Sequence, residues 1–543
     1  MMAELKKGQG LRQSMAWLHT WSGLLVCWVL FLVFCGGTAS YVKDEISLWM
    51  KPELHASSDG DVSAADVAQR AYAYLQREAP GAERWFINLP DARRPAISVF
   101  WLRKPGPADA GKGNRARLES RTLDARTGMP IPGARDTRGG EFLYRLHFDL
   151  HYMPAVQARW IVGICAMFML VAIISGVITH RRIFTDFFTF RPRKGPRSWL
   201  DAHNALAVLA LPFHLMITYT GLVTLLFMYM PWGIQAVYKG DEKAFTAELA
   251  ARAPRVKAAN EAAALAPIAP MVEQAMARWH GTPPQRIAVE QPNNANATVS
   301  LTRAESRDIG TTLPVMVFSG TTGAVQSALG ESVAAASATR STMVGLHVAH
   351  FAPPLLRALF FVSGLAGALM VATGALLWAV KTRQSHAKHI AATGRVPFGL
   401  RLVEALNLGV IAGLPIAFAA YFWANRLLPA DMSQRSSMEI QAFFGAWAVA
   451  VLLAQWKPTR EMWRVLLWTG AGLFAGLPVL NAFTTTSHLG VTLRHGPIAV
   501  AGFDLTVLAI GIGIGAAAWM LGKRRPGKRA VPAARHGAAE VSP

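Results

Sequence analysis

The sequence predicts a mostly α-helical membrane protein, with about eight transmembrane helices and two α+β domains set into an internal repeat. Three observations carry that prediction. The 543 residues are 52% hydrophobic and only 16% charged, and the apolar residues gather into runs of the roughly 20 residues that a helix needs to cross a bilayer. The basic residues behind the formal net charge of +22 cluster in short segments beside those runs, the distribution of positive-inside loops and not of a nucleic-acid footprint, so no nucleic acid is expected as a partner. The histidine, glycine and turn motifs of the first part of the chain recur once, in the same order, in a second part.

Residues 1–42 contain Lys6, Lys7 and Arg12 and then a run without charge as far as Lys43, too long for the core of a secretory signal and therefore an uncleaved first span, over 14–40. Residues 43–146 read as a small α+β domain: 64–79 has helical periodicity, Ala96 to Leu102 reads as a strand, and Ala116 to Ile131 as strand, Thr127-Gly128 turn, strand. A second span (156–180, within 147–182) leads to a basic loop, 183–198. A third (200–231, within 199–232) carries no charge after Asp201. It includes His203 and His214, whose spacing of eleven returns a helical side chain to nearly the same face.

The plan then repeats. In 233–346 an Ala-rich helix is expected over 261–279, a strand over Thr298 to Arg303, and a hairpin from Val315 to Val325 turning at Thr322-Gly323, where glycine supplies the positive φ. A fourth span (355–380, within 347–381) ends in a loop, 382–403. Residues 404–522 hold four further spans, near 404–424, 439–456, 464–482 and 502–522, before a basic tail, 523–543. With eight spans, the basic segments all fall on one side, which places both termini in the cytoplasm and the two domains opposite. Cys27, Cys35 and Cys165 lie in apolar runs, so neither a disulfide framework nor a thiolate metal site is indicated.

The repeat pairs His19 with His203, His151 with His350, Gly37 with Gly221 and Gly176 with Gly374. Parallel repeats imply a pseudo-two-fold axis along the membrane normal, so paired residues face each other at equal depth. Two facing imidazoles are the axial ligand set of a six-coordinate haem b, and ionisable residues inside a span are functional candidates by default. The expectation is two haems, an inner one held by His19 and His203 and an outer one by His151 and His350. His180, at the end of the second span, and His214, near the middle of the third, are alternative ligands, as are His147 and His347 beside the outer pair. Arg159 and Arg357 lie about two turns inside the outer histidines, placed either to neutralise haem propionates or to anchor the spans at the headgroups. No C-x-x-C-H, Walker loop, H-E-x-x-H or G-x-G-x-x-G after a strand occurs, which disfavours covalent haem, a nucleotide-driven pump and a zinc protease. Electrons would then come from a quinol or a separate reductase.

The start Leu18-His19-x-Trp21-x-Gly23, the hairpin Leu123-Asp124-x-x-Thr127-Gly128 and the run from Leu146-His147 to Ser175-Gly176 resemble the PepSY-associated transmembrane family of bacterial inner-membrane proteins, over about 1–385. Some members are similar to haem-containing ferric-siderophore reductases. The resemblance implies PepSY-like domains in the periplasm and reduction of a ferric siderophore or other chelated Fe(III) there, with release of Fe(II). The second copy departs from the pattern, with Ala205 and Ala207 for the Trp and Gly and Ser319 for the hairpin Asp. Two readings compete: a siderophore or iron transporter using the histidines as proton or metal sites, and a non-catalytic membrane scaffold.

Overall fold

A computed structural model of the chain describes residues 10–58, 62–106, 117–180, 196–242, 244–245, 253 and 255–523. The basic segments expected at the N-terminus, over most of 183–198 and along the tail lie outside these residues. Among the described residues, seven helices are long and apolar enough to cross a membrane: α1 (Leu11–Ser40), α5 (Ala155–Thr179), α12 (Pro354–Ser385), the pair α14 and α15 spanning Phe398–Leu427, α16 (Arg435–Trp456), α17 (Arg460–Thr484) and α19 (Ile498–Gly522). The third expected span, 200–231, is broken. Helices α6 (Pro196–Leu209) and α7 (Leu211–Thr224) meet at a bend of 69°, followed by the short α8 (Leu226–Tyr229) and α9 (Trp232–Tyr238). The break falls at Ala210, two residues before Pro212, which offers no N–H and disfavours helical conformation just ahead of it. His203 and His214 therefore sit on different helices.

Three shorter helices complete the first repeat: α2 (Lys43–Trp49), α3 (Ala64–Glu78) and α4 (Gly139–Asp149). The second has α10 (Ala269–Arg278) and α11 (Ala335–Val348), equivalent to α3 and α4; α13 (Ala387–Thr393) and α18 (Leu489–His495) are short connectors. The helix α10 starts later than its Ala-rich sequence suggests, since Pro267 and Pro270 hold the chain out of a helix until its first turn.

The two extramembrane segments form one sheet. Its seven antiparallel strands, β1 (Arg84–Asn88), β2 (Ile97–Leu102), β3 (Leu118–Leu123), β4 (Pro284–Glu290), β5 (Thr298–Arg303), β6 (Val315–Ser319) and β7 (Val325–Leu329), run in the order β3-β2-β1-β4-β5-β6-β7. The joint is β1 against β4, in register from Arg84↔Glu290 to Asn88↔Arg286. Helices α3 and α10 pack side by side on it, with Tyr72 donating to the Ala266 carbonyl at 3.2 Å. Trp85, Ile87, Ile287, Val289 and Phe318 are fully buried in a core that runs across the joint without interruption. The expected second strand after Thr127-Gly128 is reduced to a single bridge at Pro130, because Pro130 and Pro132 withhold the N–H groups a ladder needs. At both hairpins a side-chain oxygen closes the turn: Asp124 Oδ1 accepts from the Thr127 N–H at 2.9 Å and Ser319 Oγ from the Thr322 N–H at 3.3 Å, so the Asp-to-Ser exchange preserves the turn.

The last four spans are fastened to the repeat by buried polar groups. Asn407, just before a π-helical turn (Leu408–Ala412) between α14 and α15, accepts from Trp28 Nε1 at 2.9 Å and donates to the Ala375 carbonyl at 3.2 Å. Nearer the sheet, Trp49 Nε1 donates to Asp504 at 2.9 Å while the Arg426 guanidinium lies 3.7 Å from the Trp49 ring centre. Arg435 and Glu439 form a fully buried ion pair, with Asn425 donating to Glu439 at 2.8 Å. Asn407, Trp49, Asp504, Arg435 and Glu439 thus each have a hydrogen-bond partner in place of water.

Candidate functional site

His19 on α1 and His203 on α6 face each other at the level remote from the sheet, ring centroids 6.1 Å apart and planes inclined at 65°. Their supports match. His19 Nδ1 lies 2.8 Å from the carbonyl of Ala172 on α5, and His203 Nδ1 2.9 Å from that of Met370 on α12. A methyl group on Gly176 would lie 3.1 Å from Cε1 of His19, and one on Gly374 3.0 Å from Cε1 of His203. Each imidazole therefore leans on a bare backbone step and reaches the carbonyl four residues before it. With Nδ1 protonated, each ring donates to that carbonyl and keeps the Nε2 lone pair, the arrangement in which histidine ligates metals.

The fit to a haem can be tested on the centroid distance. A metal–nitrogen bond of about 2 Å and about 1 Å more to the ring centre, taken twice, require imidazole centres roughly 6 Å apart. The His19–His203 separation of 6.1 Å is compatible with that requirement.

Nearer the sheet, a cavity of about 620 Å3 opens between α1, α5, α7 and α12, within the size range of cofactor sites. His147 from α4 and His347 from α11 both line it. Each again rests on glycine: a methyl on Gly36 would be 3.0 Å from Cβ of His147, and one on Gly221 2.9 Å from Cε1 of His347. Thr220 Oγ1 lies 3.2 Å from His347 Nδ1, and His147 Nδ1 is held by the Tyr144 carbonyl. Arg159 and Arg357 line the same cavity; Arg159 pairs with Asp149 at 2.9 Å and Arg357 with Glu45 at 2.9 Å. Arg93 and Arg94, between β1 and β2, and Glu305 and Thr311, between β5 and β6, stand over the opening, so both halves of the sheet contribute to its roof.

The remaining histidines are placed differently. His151 lies in a run of three left-handed residues, Leu150 to Tyr152, which reverses the chain after α4 and stacks the ring on Phe444 of α16 with centroids 5.5 Å apart and planes 16° from parallel. It is not among the residues lining the cavity, whereas His350 lines it. Among the four candidate outer histidines, His147, His347 and His350 thus line the cavity and His151 does not. His180 caps α5, its Nε2 2.8 Å from Asn204 Nδ2. His214 is buried at the start of α7, edge-on to Phe34 with centroids 6.1 Å apart, and its Nε2 has no hydrogen-bond partner.

Tyr144, Tyr229 and the Arg93-Arg94 pair line the cavity without any mark in the sequence that would have singled them out. Tyr229 donates to the Arg159 carbonyl at 2.8 Å over Gly163, where any Cβ would overlap the phenol. The glycines were visible as repeat markers, and their purpose is now plain as seats for imidazoles. Among the described residues no three His, Cys, Asp or Glu side chains gather to hold a bare metal ion.

The sequence pattern of the PepSY-associated TM region matches residues 16–381, and the chain belongs to that family. No curated protein matches it.

Proposed function

We propose, with membership of the PepSY-associated family as the premise, that this chain is a haem b oxidoreductase of the bacterial inner membrane. It takes electrons from a quinol or a separate reductase and reduces a periplasmic ferric siderophore or similar Fe(III) chelate. The observation that carries the reading is the His19–His203 pair, 6.1 Å between ring centres with both Nδ1 atoms turned to backbone carbonyls. Two imidazoles at that separation, each with Nδ1 held by a carbonyl, would leave both Nε2 lone pairs free to hold one haem iron.

In this reading His19 and His203 hold the inner group, and His147 and His347 the outer one. The Ala172 and Met370 carbonyls fix the inner rings and strengthen Nε2 as a donor. Val162, Met169 and Phe213 give the outer cavity apolar walls, and Arg159 and Arg357, paired in the structure with Asp149 and Glu45, would offer cations to the carboxylates of a bound haem. Bound haem supplies one-electron transfer through a low-dielectric layer that ions cross only at high cost. For each quinol oxidised, two protons are released and two Fe(III) chelates become Fe(II), which hard oxygen ligands hold less tightly.

The test is an optical spectrum of the purified protein. Dithionite-reduced minus oxidised bands of low-spin haem b, two per chain by pyridine haemochrome, and reoxidation by ferric chelates support the reading. A colourless protein from haem-sufficient cells removes it.

A further inference from the structure

At the level remote from the sheet, α17 and α19 flank an open cavity of about 230 Å3 lined by Arg464, Trp468, Trp519, Gly522 and Lys523. Two small residues on α19 build it. Gly515 receives the Trp468 ring, 3.4 Å from where a Cβ would stand, and Gly522 receives the Arg464 guanidinium, whose Nε would be 3.1 Å away. Lys523 Nζ sits 3.6 Å from the centre of the Trp519 ring, which orients the ammonium. Arg460 donates to the Leu521 carbonyl at 2.9 Å and closes the end of α19. The nearby acid, Glu461, lies against Lys457 and Arg460, and among the described residues neither Arg464 nor Lys523 has an ion-pair partner.

We infer that this cavity is a binding site for the headgroup of an anionic phospholipid. Two cations converge on one small space, and two tryptophans flank them, 47% and 56% exposed, in the amphipathic role that such rings play at the headgroup level. Val465 and Met520 beside them are exposed on helices that cross the membrane, so the site borders acyl chains, where a soluble anion gains nothing from the rings. Basic pockets between spans are the expected form of such a site. It is independent of the haem reading.

The test uses the full-length protein extracted from vesicles of equal phosphatidylglycerol and phosphatidylethanolamine, with retained lipid read by native mass spectrometry. The wild type should retain phosphatidylglycerol selectively. Lys523→Gln should lower that retention about fivefold, and Arg464→Gln with Lys523→Gln roughly twentyfold, with phosphatidylethanolamine unchanged. Lys523→Gln alters an exposed residue beyond the last helical turn, so it keeps the test valid if the double variant fails to fold. Equal retention by wild type and Lys523→Gln, equal retention of both lipids by the wild type, or displacement of the lipid by inorganic phosphate would each overturn the assignment.

Discussion

Replacing Gly374 by alanine adds one methyl group, and the geometry fixes what it must do. The new Cβ would stand 3.0 Å from His203 Cε1 and 3.2 Å from Nδ1, against a comfortable carbon contact of about 3.5–4.0 Å. The imidazole must give by a few tenths of an ångström, which lengthens its 2.9 Å bond to the Met370 carbonyl toward the edge of hydrogen-bonding range. Straining that bond costs up to about 1 kcal/mol and overpacking about 1–3 kcal/mol. The sum, roughly 1–4 kcal/mol, weakens inner haem retention by about 5- to 1000-fold. Gly176→Ala should do the same through His19, because the two seats are equivalent. Gly445→Ala, with nothing within 4 Å of the added methyl, is the control. Haem per chain by pyridine haemochrome, with a thermal melt as a check on folding, reads the result. If Gly374→Ala keeps both haems and an unshifted reduced spectrum, the imidazole seat is only packing and the ligand assignment fails.

Three further outcomes are expected. His147→Ala or His347→Ala should each remove one haem and spare the other, while His151→Ala, which loses its stack on Phe444 and its edge contacts with Phe142 and Tyr152, should keep the full content; haem stoichiometry distinguishes them. Glu439→Gln strands Arg435 in a fully buried site and should cost about 3–5 kcal/mol, seen as a lower melting temperature with the haem spectrum intact. Burial lowers the pKa of His55 to about 4, outweighing the bond to the Leu48 carbonyl that favours its charged form. A base whose pKa is depressed by folding stabilises the fold above its unfolded pKa of about 6.5, and that stability is lost as pH falls toward 4, by about 3 kcal/mol at the limit. Melts across that window should show the loss in the wild type and a flatter profile in His55→Gln.

The repeat was legible because its marks are chemical and regularly spaced. His19 and His203, and Gly176 and Gly374, could be matched by eye, and the structure brings each histidine onto its glycine. The outer imidazoles were harder to choose. His147 and His347 do not share one offset with the His151–His350 match, and only the left-handed turn at Leu150 to Tyr152 decides which ring faces the cavity. Strands β1 and β4 escaped notice because RWFIN is short and PQRIAVE opens on proline and charge; their pairing is a contact between distant segments that no local pattern encodes. The break at Ala210 could have been suspected from Pro212. The Arg435–Glu439 pair could not have been foreseen, since a buried charge at a helix end looks in sequence like a snorkelling one.

The seam between β1 and β4 bears on how the molecule works. Five facing residue pairs and a shared apolar layer weld the two arms of the duplication into a single girder above the bilayer. A carrier whose halves rock past one another would have to shear this girder at every stroke. A conduit with fixed stations has no such stroke to make, and its spacing holds steady whatever cargo docks overhead.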